Sequence, residues 1–217
     1  MPQSDTLHDL FVDELKDAYD HEKQLVKALR KMAKAATHPD LANAFSSHLD
    51  ETNGQIATLE EVFGMIDMKP KGKHCAGIAG IIEEGNEAIE EHDKSPLLDA
   101  ALVGGGKRAE HYEIAAYTTL IAMAKELGID EAAASLDEIL QQEIACDQKL
   151  DSLGEMLLPM ANQNEDADRN GNSDDDESNA NASPTTARAP GKNVGSAKSP
   201  ARKSPVKKAA GKTAGRR

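Results

Sequence analysis

The sequence predicts an all-α protein: a four-helix bundle with one long crossover carrying a short extra helix, followed by a disordered C-terminal tail. Three observations carry this. Aromatic residues are 3% of the 217, Trp is absent, and every Tyr and Phe lies before residue 118, which disfavours a β-sandwich or barrel core. Ala, Leu, Glu, Lys and Gln, all strong helix formers, fill the first 160 residues. Apolar residues there recur at three- and four-residue steps instead of alternating.

Ser4 or Thr6 can cap the first helix, whose apolar stripe includes Leu7, Leu10, Phe11, Leu15, Ala18, Tyr19, Leu25, Leu29, Met32 and Ala36. Thr37-His38-Pro39-Asp40 ends it, because Pro39 disfavours helical geometry at His38 and is a good first residue for the next helix. That second helix reaches Ile66, with Leu41, Phe45, Leu49, Thr52, Ile56, Leu59 and Phe63 inward. So short a link makes the two an antiparallel hairpin.

The stretch MKPKGKHC at 68–75 cannot continue the helix, and a shorter helix follows over 76–92, broken by Lys94-Ser95-Pro96. The third long helix begins near Leu97 and crosses Gly104-Gly105-Gly106, where a kink or local loosening is expected. It ends at Leu127 with Gly128 as C-terminal cap. Asp130 is placed to cap the last helix, which presents Leu136, Ile139, Leu140, Leu150, Leu153 and Leu157 before Pro159 stops it. A connection of roughly thirty residues between the two hairpins lets the third long helix run parallel to the second, which is the ferritin-like arrangement.

Charge divides the chain. The total is −13, of which +10 lies in residues 188–217 and −6 in 163–187, leaving −17 for residues 1–162. An acidic helical body repels nucleic acid, whereas a basic segment without aromatics attracts any polyanion. Residues 1–162 are thus expected to form the bundle domain and 163–217 a disordered tail, acidic over 163–187 and basic and histone-tail-like over 188–217. Cys75 and Cys146 are too few for a disulfide framework, so a reducing compartment is expected. No basic segment followed by an apolar one opens the chain and no apolar run approaches 18 residues, so the expected location is the cytoplasm, off the membrane.

The informative anomaly is that all four long helices place acids on their apolar stripes. Glu22 sits between Ala18/Tyr19 and Leu25/Val26; His48 and Glu51 lie one turn apart after Phe45; Glu110 and Glu113 precede Tyr117; Glu143 and Asp147 fill the gap between Ile139/Leu140 and Leu150. Any one of these alone reads as a boundary residue whose head reaches solvent. Four helices doing so near mid-length is different, because several buried unpaired carboxylates would each cost several kcal/mol or be protonated. No Lys falls on these stripes, and two divalent cations held by oxygen ligands and one or two imidazoles would neutralise them. His21 and His111 adjoin Glu22 and Glu110, about 100° away around their helices, and are expected to face elsewhere. Cys146 reads as a small buried hydrophobe.

The stretches LKDAYDHEKQL (15–25), FSSHLDETNGQIATL (45–59), IEEGNEAI (82–89), EHYEIAAY (110–117) and EIACDQKL (143–150) closely resemble the YciF-type ferritin-like proteins, a bacterial stress-associated family. The resemblance covers roughly residues 6–158, with five blocks in order. It implies a rubrerythrin-like four-helix bundle with a two-metal site, often dimeric. Within that pattern Glu22 resembles the first-helix Glu, and Glu110 with Glu113 the doubled acid of rubrerythrins. Departures are plain: Glu143 is followed three residues later by Cys146 where a His is usual, and Glu51-x-x-Gly54 lacks its His, although His48 can supply a nitrogen.

The function expected from the sequence is that of a stress-response protein binding two iron or manganese ions among Glu22, His48, Glu51, Glu110, Glu113, Glu143 and Asp147, with ferroxidase or peroxide-consuming chemistry. The alternative is a non-catalytic helical scaffold, dimeric, with a vestigial metal site. In the tail, Ser199-Pro200-Ala201-Arg202 and Ser204-Pro205-Val206-Lys207 resemble linker-histone repeats. There Lys198, Arg202, Lys203, Lys207, Lys208, Lys212, Arg216 and Arg217 are expected to contact DNA phosphates without sequence preference.

Overall fold

The computed structural model describes residues 6–170, with side-chain surroundings through residue 163. Five helices follow in order: α1 (Leu7–Ala35), α2 (Pro39–Met65), α3 (Ala76–Glu91), α4 (Pro96–Glu126) and α5 (Asp130–Asn170). Local chemistry accounts for most of their ends. Thr6 accepts the Asp9 amide at 3.1 Å, making it the N-cap of α1. Pro39 opens α2, Ser95 accepts the Leu98 amide at 3.3 Å before Pro96, and Gly128, at φ +72°, takes the left-handed position after α4. Asp130 is not the expected cap but the first residue of α5.

The α1–α2 turn is anchored from across the bundle. The buried carboxylate of Asp99 accepts the amides of Thr37 (2.7 Å) and His38 (2.9 Å) and the Thr37 hydroxyl, tying the turn to the start of α4. The crossover lies along α1: the Lys73 amide donates to the Lys16 carbonyl at 3.0 Å and the Cys75 amide to Asp20 at 2.9 Å. From there α3 packs on both α1 and α4.

Around the bundle, α1 touches α2 and α4, and α5 touches the same two. His48 of α2 meets Glu110 of α4, and Phe45 lies against Gly106, so sequence number rises along both helices together and α2 runs parallel to α4. At the triple glycine α4 crosses as one uninterrupted helix. A Cβ on Gly106 would stand 3.0 Å from Leu150 Cδ1 and 3.3 Å from Phe45 Cε1. The missing side chain brings α4 close to α2 and α5.

Pro159 is likewise not a stop, because α5 continues to Asn170. Leu157 (1% exposed) and Ala161 (7%) dock on either side of the proline, and this holds the helix through the one backbone hydrogen bond it lacks. Residues 171–217, which hold most of the expected tail and all of its basic segment, lie outside the described residues. Among the described residues no helix is long and apolar enough to cross a membrane.

Two apolar clusters fill the bundle. One gathers Phe11, Leu15, Leu59, Phe63, Leu120 and Leu136; the other Leu25, Leu41, Phe45, Leu98, Leu102 and Leu153. Between them, at mid-length, the interior is polar.

Candidate metal centre

Each long helix contributes to that layer, because each replaces one to three inward apolar positions with a polar residue. Glu22 (0% exposed) comes from α1, His48 (3%) from α2, Glu110 (2%) and Glu113 (1%) from α4, and Glu143 (0%) from α5. Donor atoms of His48, Glu110, Glu113 and Glu143 lie within 4.8 Å of one another, as do those of His21, Glu22 and Glu113. Glu113 belongs to both groups. His48 Nε2 stands 3.3 Å from Glu110 Oε1 and 3.6 Å from Glu143 Oε2; His21 Nε2 stands 3.5 Å from both Glu22 Oε1 and Glu113 Oε1.

Neighbouring side chains orient these acids. The Tyr117 hydroxyl donates to Glu22, and the Gln55 amide donates to Glu143. Five carboxylate oxygens nevertheless lack a hydrogen-bond partner: Glu22 Oε2, Glu110 Oε2, both of Glu113, and Glu143 Oε2. Burial, with Glu143, Glu22 and Glu110 alongside, holds the Glu113 carboxyl well above the usual range. Burial also pushes Glu143 up to about 10; His48 opposes this and Glu110 reinforces it. On the imidazoles burial acts downward but is outweighed. Contacts with Cys75 and Glu22 raise His21 to about 9, and Cys146, Glu51, Glu110 and Glu143 hold His48 well above its ordinary value. Without cations this layer keeps protons that exposed groups would release.

Of the expected ligands, Glu22, His48, Glu110, Glu113 and Glu143 come together and two do not. Glu51 is at the rim, its side chain 44% exposed, with Oε2 3.4 Å from His48 Nδ1. Asp147 is drawn away by Lys107 Nζ at 2.8 Å and His111 Nε2 at 3.1 Å. No Lys sits on the stripes themselves, but Lys107 of α4 reaches Asp147 across helices. His111 is solvent-facing as expected, its side chain 66% exposed.

His21 differs from expectation. It is 0% exposed beside Glu22, because α3 and the crossover cover a second face of α1 and widen its buried arc past one stripe. The inward frame of α2 is also one residue on from Glu51-x-x-Gly54: Thr52 (0% exposed) and Gln55 (1%) face the layer. Thr52 was already on the apolar stripe, and its phase carries directly to Gln55.

Between α2 and α5 a groove of about 450 Å³ opens where Ala44, Ser47 and Ala145 are small, with His48, Glu51 and Cys146 also lining it. Of the buried layer, His48 lines it. Burial pushes the Cys146 thiol up to about 11 against the lowering effect of His48.

Helix order, the parallel second and third long helices and a mid-length acidic layer define a ferritin-like four-helix bundle. The chain belongs to the family described as domain of unknown function DUF892, which matches residues 6–163. It is 44% identical over 149 residues to Protein YciF of Escherichia coli strain K12, spanning 68% of this chain and 90% of that protein. The crystal structure of the E. coli stress protein YciF aligns at a TM-score of 0.69 and 42% identity, over 71% of this chain and 98% of that one. YcfI from Rhodopseudomonas palustris aligns at 0.67 and 44% identity, over 69% and 96%. A protein from Xanthomonas campestris pv. campestris, 24% identical, aligns at 0.60 over 74% and 99%, a likeness of fold alone.

Proposed function

We propose that the mid-bundle layer binds two divalent cations, iron or manganese, and that the protein protects the cell under stress by consuming peroxide or oxidising ferrous iron. The observation that carries this is the set of five buried carboxylate oxygens without a partner, facing two imidazoles. Unpaired charges in such a place are strongly destabilising, and cations satisfy them together. Oxygen donors with one or two nitrogens suit iron and manganese. The description of the E. coli relative as a stress protein agrees with the reading.

The residues divide the work. Glu113, common to both donor groups, would be shared by the two cations; Glu22 and His21 would hold one, Glu110 and His48 the other, and Glu143, beside His48 and Glu113, would complete the set. Tyr117 and Gln55 hold Glu22 and Glu143 in orientation from outside. The α2–α5 groove admits a small oxidant, and Glu51 at its rim draws cations toward His48. When bound, two redox-active metals supply the electrons such chemistry needs.

Elemental analysis of protein purified without chelators tests the reading. About two equivalents of iron or manganese per chain are expected; a metal-free protein that acquires none on incubation would leave the non-catalytic scaffold instead. Residues 188–217, with ten cations and no acid, support a further role as a DNA tether that brings this chemistry close to the duplex.

A further inference from the structure

Cys146 occupies a position that the carboxylate reading leaves unused. It stands three residues after Glu143, one turn along α5, where a Glu-x-x-His pair would carry its imidazole. Its Sγ lies 3.3 Å from Glu110 Oε1, and His48 Nε2 lies 3.3 Å from that same oxygen. Bonds of about 2.3 Å to sulfur and about 2.1 Å to nitrogen and oxygen, at tetrahedral angles, put neighbouring donors roughly 3.4–3.6 Å apart. The two measured separations are within a few tenths of an ångström of that. Glu110 Oε2 beside them is buried and has no partner.

We propose that His48, Glu110 and Cys146 form a groove-side coordination position for a borderline-soft divalent cation of the zinc class, with Cys146 binding as thiolate. On binding, the Cys146 thiol proton that now points at Glu110 and the proton on His48 Nε2 both leave to water, and the cation takes their place. Three protein donors leave a fourth position open. His48 and Glu110 are buried while Cys146 is half-buried on the groove, so that position faces solvent. Sulfur and nitrogen together favour zinc, cobalt or ferrous iron over manganese, magnesium or calcium. The inward position, left with His21, Glu22, Glu113 and Glu143, offers oxygens and one imidazole but no sulfur, and so favours harder ions than the groove-side one. The layer is therefore two unlike sites, a distinction that rests on the two-cation reading because they share Glu113's neighbourhood.

Cobalt titration of the full chain, stripped of metal and desalted, tests this by absorption. Thiolate-bound Co²⁺ gives a near-ultraviolet charge-transfer band that carboxylates and imidazoles do not. The band is expected in the native protein and in Cys75→Ala, which removes the other thiol, and is expected to vanish in both Cys146→Ala and Cys146→Ser. Circular-dichroism melts of the metal-free variants establish that they fold. A band lost in Cys75→Ala but kept in Cys146→Ala overturns the assignment. Co²⁺ that raises the melting temperature of the native protein without producing the band overturns the thiolate site and leaves the carboxylate centre standing. Neither band nor shift overturns both.

Discussion

Glu143→Gln makes metal-free protein more stable, by an amount that grows with pH. The carboxyl is held at about 10 in the folded chain, against about 4.3 for an unfolded Glu. A folded-state value raised in this way contributes stability that is fully present below about pH 4.3 and is lost as pH rises toward 10. At about 1.36 kcal/mol per pH unit, the handicap relative to a neutral residue is about 1.6 kcal/mol at pH 5.5 and about 4 kcal/mol at pH 7.5. Gln is nearly isosteric, and its carbonyl still accepts from Gln55. Its amide loses one well-made bond beside His48, an offset of about 1–3 kcal/mol that varies little with pH. The difference between the two pH values, about 2.7 kcal/mol, is therefore the sharper quantity. Urea denaturation of chelated protein reads it directly: with a slope of about 2 kcal/mol/M, the midpoint advantage of the variant grows by about 1.3 M from pH 5.5 to 7.5. A midpoint difference that stays the same at both pH values refutes the claim that Glu143 stays protonated in the metal-free fold.

Three further outcomes follow from the same structure. Excess Mn²⁺ or Fe²⁺ raises native-protein stability, by about 2.7 kcal/mol at a hundredfold excess over Kd, and the double change Glu110→Ala, Glu143→Ala abolishes the shift without unfolding the helices; equal melts with and without metal in the native protein count against the centre. Asp99→Ala strands the Thr37 and His38 amides and lowers stability by about 3 kcal/mol in urea titrations at any metal level, whereas a loss under about 0.5 kcal/mol would mean that water replaces the carboxylate. For the tail, the full chain binds duplex DNA with a log K against log salt slope of about −5 if roughly six cations reach phosphate, a chain ending at Asn170 does not bind, and deleting 165–177 strengthens binding; equal gel-shift affinity of the full and shortened chains would sink the tether.

The residues that start and end helices act over a few positions, which is why Thr6, Pro39, Ser95-Pro96 and Gly128 could be placed from the sequence with little error. The same holds for the acids: a three- or four-residue step locates Glu22, Glu110, Glu113 and Glu143 on apolar stripes whatever lies opposite, and four coincidences at mid-length announce a buried polar layer. What a helical period leaves undetermined is how wide each buried arc is and what stands across from it. His21 enters the layer because α3 covers a second face of α1, and Asp147 leaves it because Lys107 of α4 competes for its charge. Pro159 reads locally as a stop, yet α5 is held by docking on both sides of the proline, and α4 is held through its triple glycine by the close approach of Phe45 and Leu150 at Gly106. Backbone capping is a local free energy of about 1 kcal/mol written in adjacent residues. Burial, charge pairing and close packing depend on partners far away in the chain, so only the assembled bundle decides them.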